Sequence, residues 1–144
     1  MDLFPNEILN LSQFIFGGKA EFTIENIQSG KGYQYRVNKA ENKNSTDKRD
    51  RYFVRVKDGS SEVYAGMITV YPNGAPYYNQ GKTGAYDKDS PPIKGLFLAI
   101  YKATGGMKRP MVLYHHGKCS RCGRKLTDPE SIERGIGPEC IKKI

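Results

Sequence analysis

The chain has 144 residues, 38% of them hydrophobic, with 10 Tyr, 6 Phe and no Trp, which is one domain's worth of sequence with an ordinary core. Lys and Arg number 23 against 15 Asp and Glu, a formal charge of +8 that excludes a polyanion mimic and leaves acidic partners open. No apolar run approaches the ~20 residues a membrane-crossing helix needs, so no membrane partner is expected.

Residues 1–18 read as a short helix or turn, with Pro5 at a first helical position, Ile8, Leu9 and Phe14 facing inward, and Gly17-Gly18 closing it. No basic stretch precedes an apolar one there, so a secretory leader is not expected. Residues 20–27 alternate, with Ala20, Phe22 and Ile24 opposite Glu21, Thr23 and Glu25. A Gly-containing turn follows, and Tyr33, Tyr35 and Val37 alternate with Gln34 and Arg36, which predicts a hairpin. Residues 38–50 are polar and predict a surface loop. Residues 51–57 form a third strand, with Tyr52, Val54 and Val56 on one face and Arg51, Phe53, Arg55 and Lys57 on the other. Residues 62–71 form a fourth strand; residues 75–90 hold no clear element beyond a short strand near Tyr77 and Tyr78. A helix is predicted over 91–104, capped by Ser90, opened by Pro91-Pro92 and closed by Gly105-Gly106, with Ile93, Leu96, Phe97, Ile100 and Tyr101 at helical spacing.

The three cysteines all lie near the carboxyl end, which argues for a reduced compartment and a metal site rather than a disulfide framework. Cys119-x-x-Cys122-Gly123 has the spacing of a zinc knuckle: two thiolates two residues apart can share one tetrahedral ion, and the glycine permits the tight turn. Thr127 and Glu130 read as a capping box with Pro129 in the first turn, opening a short helix that ends at Gly135. Gly137-Pro138 opens a last turn that carries Cys140 near a helix N-terminus, where a thiolate is favoured. A knuckle followed by a helix-borne ligand is treble-clef-like. The three thiolates leave one ligand to find, and spacing does not separate His115 from His116.

The stretch HxGxCxxCGRxLTxPESIxxGIGPEC, from His115 to Cys140, resembles the C-terminal motif of a family of uncharacterised small phage and prophage proteins, a zinc-binding domain of unknown function. The Phe16-Gly17-Gly18 segment, the RYFVRVKDG strand and the IKGLFLAIYKATGG helix resemble the family's upstream pattern. The family's histidine stands four residues before the first cysteine, so the resemblance implies zinc held by Cys119, Cys122, Cys140 and His115, and a phage-type protein working in the host-cell cytosol.

Residues 107–144 carry nine Lys and Arg against four Asp and Glu. Lys118, Arg121, Arg124 and Lys125 surround the knuckle, and Arg51, Phe53 and Arg55 share a basic, aromatic strand face of the kind that stacks bases and meets phosphates. The expected fold is α+β: an antiparallel sheet of about four strands with one covering helix over residues 1–110, and a zinc subdomain over 111–144. The expected function is non-catalytic nucleic-acid binding. The alternative is a protein-binding module that inhibits or redirects a host enzyme. A metal-dependent nuclease ranks third, because no second histidine or asparagine stands at a helical offset to complete a catalytic metal site, and no catalytic residue is assigned.

Overall fold

We describe the fold from a computed structural model, which covers residues 11–26, 28–44, 46–59, 61–101 and 111–142. The expectations on Pro5, Ile8, Leu9 and Gly105-Gly106 lie outside these residues, as do three of the nine cations counted over 107–144, Lys108, Arg109 and Lys143.

A short helix α1 (Leu11–Ile15) leads into strands β1 (Lys19–Asn26), β2 (Lys31–Lys39), β3 (Asp50–Asp58), β4 (Ser61–Val70) and β5 (Pro76–Asn79). Helix α2 (Pro91–Ile100), strand β6 (Met111–His115) and two short helices, α3 (Pro129–Arg134) and α4 (Pro138–Ile141), follow. The strands form one antiparallel sheet in the order β5-β4-β3-β2-β1-β6. Four consecutive antiparallel pairings make up the meander, and β6 returns to pair with β1, Leu113 opposite Ile24 and His115 opposite Phe22.

Against the expected four strands, the described residues form six. β5 is only four residues long. β6 escapes sequence reading because its five residues, MVLYH, offer too short an alternation to register on their own and sit against the metal motif. Its pairing with β1 also means that a boundary drawn at residue 110 passes in front of a strand of the sheet.

The alternation read from the sequence sets the two faces. Ala20, Phe22, Ile24, Tyr35, Val37, Tyr52, Val54, Val56, Ile68 and Leu113 are buried beneath α1 and α2, where Phe14, Ile93, Leu96 and Ala99 meet them. Phe22 stacks on Tyr35 with ring centroids 5.3 Å apart. The Tyr35 hydroxyl donates to the Pro92 carbonyl at 2.6 Å, so the one polar atom of that ring ties β2 to the first turn of α2. Burial pushes this hydroxyl's pKa up, and it stays protonated as a donor.

α2 begins at Pro91 as predicted, but the Ser90 hydroxyl donates to Asp87 O at 2.7 Å and makes no cap to the helix. Pro91 and Pro92 remove two of the N–H groups a cap would serve, so the hydroxyl is released to the preceding turn.

A bulge interrupts the β3–β4 pairing: Val54 faces Gly66 and Arg55 faces Tyr64, leaving Ala65 unmatched. Gly66 is required there, because a Cβ would stand 2.4 Å from the Tyr78 hydroxyl, which lies 2.6 Å from Ala65 O. The bulge turns Tyr64 to the sheet's outer face beside Phe53, 6.2 Å between centroids and edge-on.

Candidate metal centre

Past His116 the chain folds over itself. Lys118 and Lys125 form a small antiparallel bridge, with Cys119 N donating to Arg124 O and Leu126 N to Gly117 O, both at 2.8 Å. Within this loop Gly123 N donates to Cys119 O at 2.8 Å, and Gly123 takes a φ of 81°, a left-handed conformation that serves the tight turn expected there. Helix α3 starts one residue later than the capping box predicts. Asp128 is the cap, its carboxylate accepting from Ser131 N at 3.0 Å, because Pro129 occupies the first helical position and fixes the residue before it as extended. Gly135 ends the helix at φ 75° as expected, and Gly137-Pro138 opens α4.

This path brings Cys119, Cys122 and Cys140 together, with their sulfur atoms all within 4.8 Å of one another. Thiolates on one tetrahedral ion at about 2.3 Å stand about 3.8 Å apart, so the cluster is close enough to hold a metal ion. Leu126 and Ile136 are buried with the cysteines, and Ile132 and Ile141 pack against them, a core too small to fix the segment unaided.

The donor chemistry fits a cation. Cys119 Sγ accepts from Gly137 N at 3.2 Å and from Arg121 N at 3.4 Å. Burial opposes its ionisation, but the N–H groups of Gly137, Cys122 and Arg121 outweigh it and bring the thiol down to about 7. Cys140 is pushed up, first by burial and then by the neighbouring thiols, with the Arg121 side chain opposing. Three clustered thiols cannot all ionise cheaply without a positive charge among them, which a metal ion held there would supply.

His115 is not among the side chains whose ligand atoms all lie within 4.8 Å of one another. It is fully buried on the core face of β6, its ring 6.0 Å from that of Phe14. Its Nδ1 accepts from Gly117 N at 2.9 Å, and its Nε2–H donates to Ile132 O. Burial lowers its pKa, with the Ile132 carbonyl opposing, so the ring is a neutral bridge between β6 and α3. His116 points to the other face, where its Nε2 lies 2.9 Å from Thr23 Oγ1. Among the described residues, the groups able to share one ion are the three cysteines.

The basic residues named from sequence fall in two places. Arg121, Arg124 and Lys125 line a cavity of about 330 Å3 together with the three cysteines. Phe53 and Arg55 lie on the outer sheet face, with Phe53 37% exposed, so the register is the one that turns Tyr52 inward. Arg51 is held by Asp47 at 3.1 Å and Lys118 by Glu21 at 3.3 Å. Arg36, between Glu21 and Glu62, and Tyr64 complete that face; neither was singled out, although Arg36 shares the alternation of Gln34 and was legible from it.

The fold and the site define a class: an antiparallel sheet, covered on one face by helices, with a carboxyl-terminal three-cysteine cluster able to hold a metal. Residues 110–144 match the model of a family of unknown function, DUF6011. No curated protein and no solved structure matches the chain. Among the described residues, no helix is long and apolar enough to cross a membrane.

Proposed function

We propose that this is a zinc-stapled, non-catalytic nucleic-acid-binding protein of a phage-type family, acting in a reducing cytoplasm, with the cysteine cluster built as a treble-clef-like knuckle. Zinc suits soft thiolate donors, and Cys119, Cys122 and Cys140 would hold it. Bound there, it supplies charge compensation and a cross-link. The chain's own residues do the rest: Gly137, Cys122 and Arg121 orient Cys119 through their N–H groups.

The observation that carries the binding reading is the outer sheet face. Among the described residues no element covers it. It presents Phe53 edge-on to Tyr64, with Arg55 directly opposite Tyr64 and Lys57 on the same face. Rings flanked by cations stack bases without demanding sequence, and the knuckle cations would add to the attraction for phosphate. Salt bridges of Arg36 and Lys118 to Glu21 hold this face in shape but neutralise part of it, so stacking on Phe53 and Tyr64 must contribute substantially.

The test is fluorescence anisotropy with single-stranded and duplex oligonucleotides across a salt series. The expected result is preference for single strands and affinity falling steeply with salt. Undetectable binding at low salt removes the reading.

A protein partner is the second reading. Tyr77, 60% exposed and edge-on to Tyr71 at 5.1 Å, favours it, standing on the free edge strand β5. Capture of a partner that survives nuclease treatment, together with no oligonucleotide binding, would select it.

A further inference from the structure

The knuckle, the buried histidine and the cavity beside them point to a ligand site. We propose that the chain supplies three of the metal's four ligands, Cys119, Cys122 and Cys140, and that the fourth position faces the adjoining cavity and takes an external thiolate. This rests on the reading that the cluster holds a metal.

Three observations carry it. First, both ring nitrogens of His115 are engaged, Nδ1 with Gly117 N and Nε2 with Ile132 O, so recruiting it would break two hydrogen bonds, one of them buried, and pull β6 from α3. The ring of His116 is turned to the opposite sheet face against Thr23. Second, the thiols are unequally covered: Cys119 and Cys140 are buried, whereas Cys122 is partly exposed and faces the cavity. An ion shared by the three is therefore approached from that side. Third, the cavity holds about 330 Å3, at the small end of ligand pockets, and is rimmed by Arg121, Arg124 and Lys125 against Asp128 and Glu139.

The chemistry selects the ligand class. A divalent ion with three thiolates carries one net negative charge and is a weak acid toward water, but a soft sulfur donor completes the set well. A fourth thiolate raises the negative charge to two, which the rim, with three cations against two carboxylates, offsets in part. With an ion held by Cys119, Cys122 and Cys140, binding would be a substitution in which the thiol sulfur replaces a solvent ligand and the thiol proton goes to solvent. A small thiol carrying a carboxylate fits both the sulfur position and the rim cations Arg121, Arg124 and Lys125.

X-ray absorption of the full-length zinc-loaded protein tests this, with mercaptoacetate as the probe and mercaptoethanol as its neutral counterpart. The expected shell is three sulfurs and one light atom with no imidazole scattering, becoming four sulfurs on adding mercaptoacetate. The neutral thiol should need several-fold more, and Arg124→Gln should narrow that gap. An imidazole signature in the untreated protein, or a shell unmoved by excess mercaptoacetate, overturns the inference while leaving the metal reading in place. Failure to take up zinc overturns both.

Discussion

His115 joins the fold as a neutral ring with one nitrogen accepting and the other donating. Its burial lowers the folded pKa, whereas in the unfolded chain it titrates near 6.5. The unfolded state therefore takes up the proton first as pH falls, and the stability this ring contributes is present above pH 6.5 and lost below it. Urea unfolding of the wild type and His115→Gln checks this: the wild type should be the more stable at about pH 7.5, with a gap that shrinks by about pH 5.5. An unchanged gap contradicts the neutral bridge. A histidine four residues from a knuckle reads as a ligand in sequence because spacing records proximity along the chain; burial and the Ile132 carbonyl, seventeen residues on, are visible only in the folded molecule. The cysteines were legible, because ligand spacing and turn glycines are local properties.

One corner of the knuckle is fastened by backbone hydrogen bonds to β1 and to the end of α3. Lys19 N donates to Ser120 O at 2.6 Å, and Ser120 N to Gly135 O at 2.9 Å, so β1, the knuckle and the end of α3 meet at one residue. A Cβ on Gly17 would stand 2.3 Å from Ser120 Oγ and 2.7 Å from Ser120 O. Gly17→Ala should therefore displace the knuckle, costing about 1–3 kcal/mol as other overpacked sites do, and weaken metal affinity with it. A variant of unchanged melting temperature and zinc affinity would show that the corner yields freely. Sequence reading placed Gly17 only as the end of a helix, since its neighbour Ser120 lies a hundred residues away. It placed β1 to β4 well because two-residue alternation is a direct image of a half-buried strand; the cap of α3 slipped from Thr127 to Asp128 because the proline that follows decides which residue is extended.

Across the whole molecule the two parts are neither independent nor fully merged. β6 belongs to the sheet, with Leu113 and His115 in the main core, whereas residues past His116 depend on a small cluster of their own. Chelation should thus raise hydrogen exchange over 117–142 and spare β1 to β4; loss of protection throughout the sheet would mean a single cooperative unit. On the proposed binding face, Phe53→Ala should weaken single-strand binding by about 1–3 kcal/mol at all salt concentrations, the usual worth of one stacked base, while Arg55→Gln should flatten the salt dependence by about one unit of slope. Anisotropy titrations of both variants check this, and equal salt slopes in wild type and Arg55→Gln would place that cation away from phosphate. The face itself was legible from alternation. The six-strand order was not, because pairing of β6 with β1 is a contact between the two ends of the chain.

The most direct measurement is a zinc titration of the reduced full-length protein against a chromophoric chelator, repeated with Cys140→Ser. The account predicts one tightly held ion per chain and a loss of at least tenfold in affinity in the variant. No ion retained against the chelator, or one retained equally well without the Cys140 thiol, would contradict a centre formed by the three cysteines.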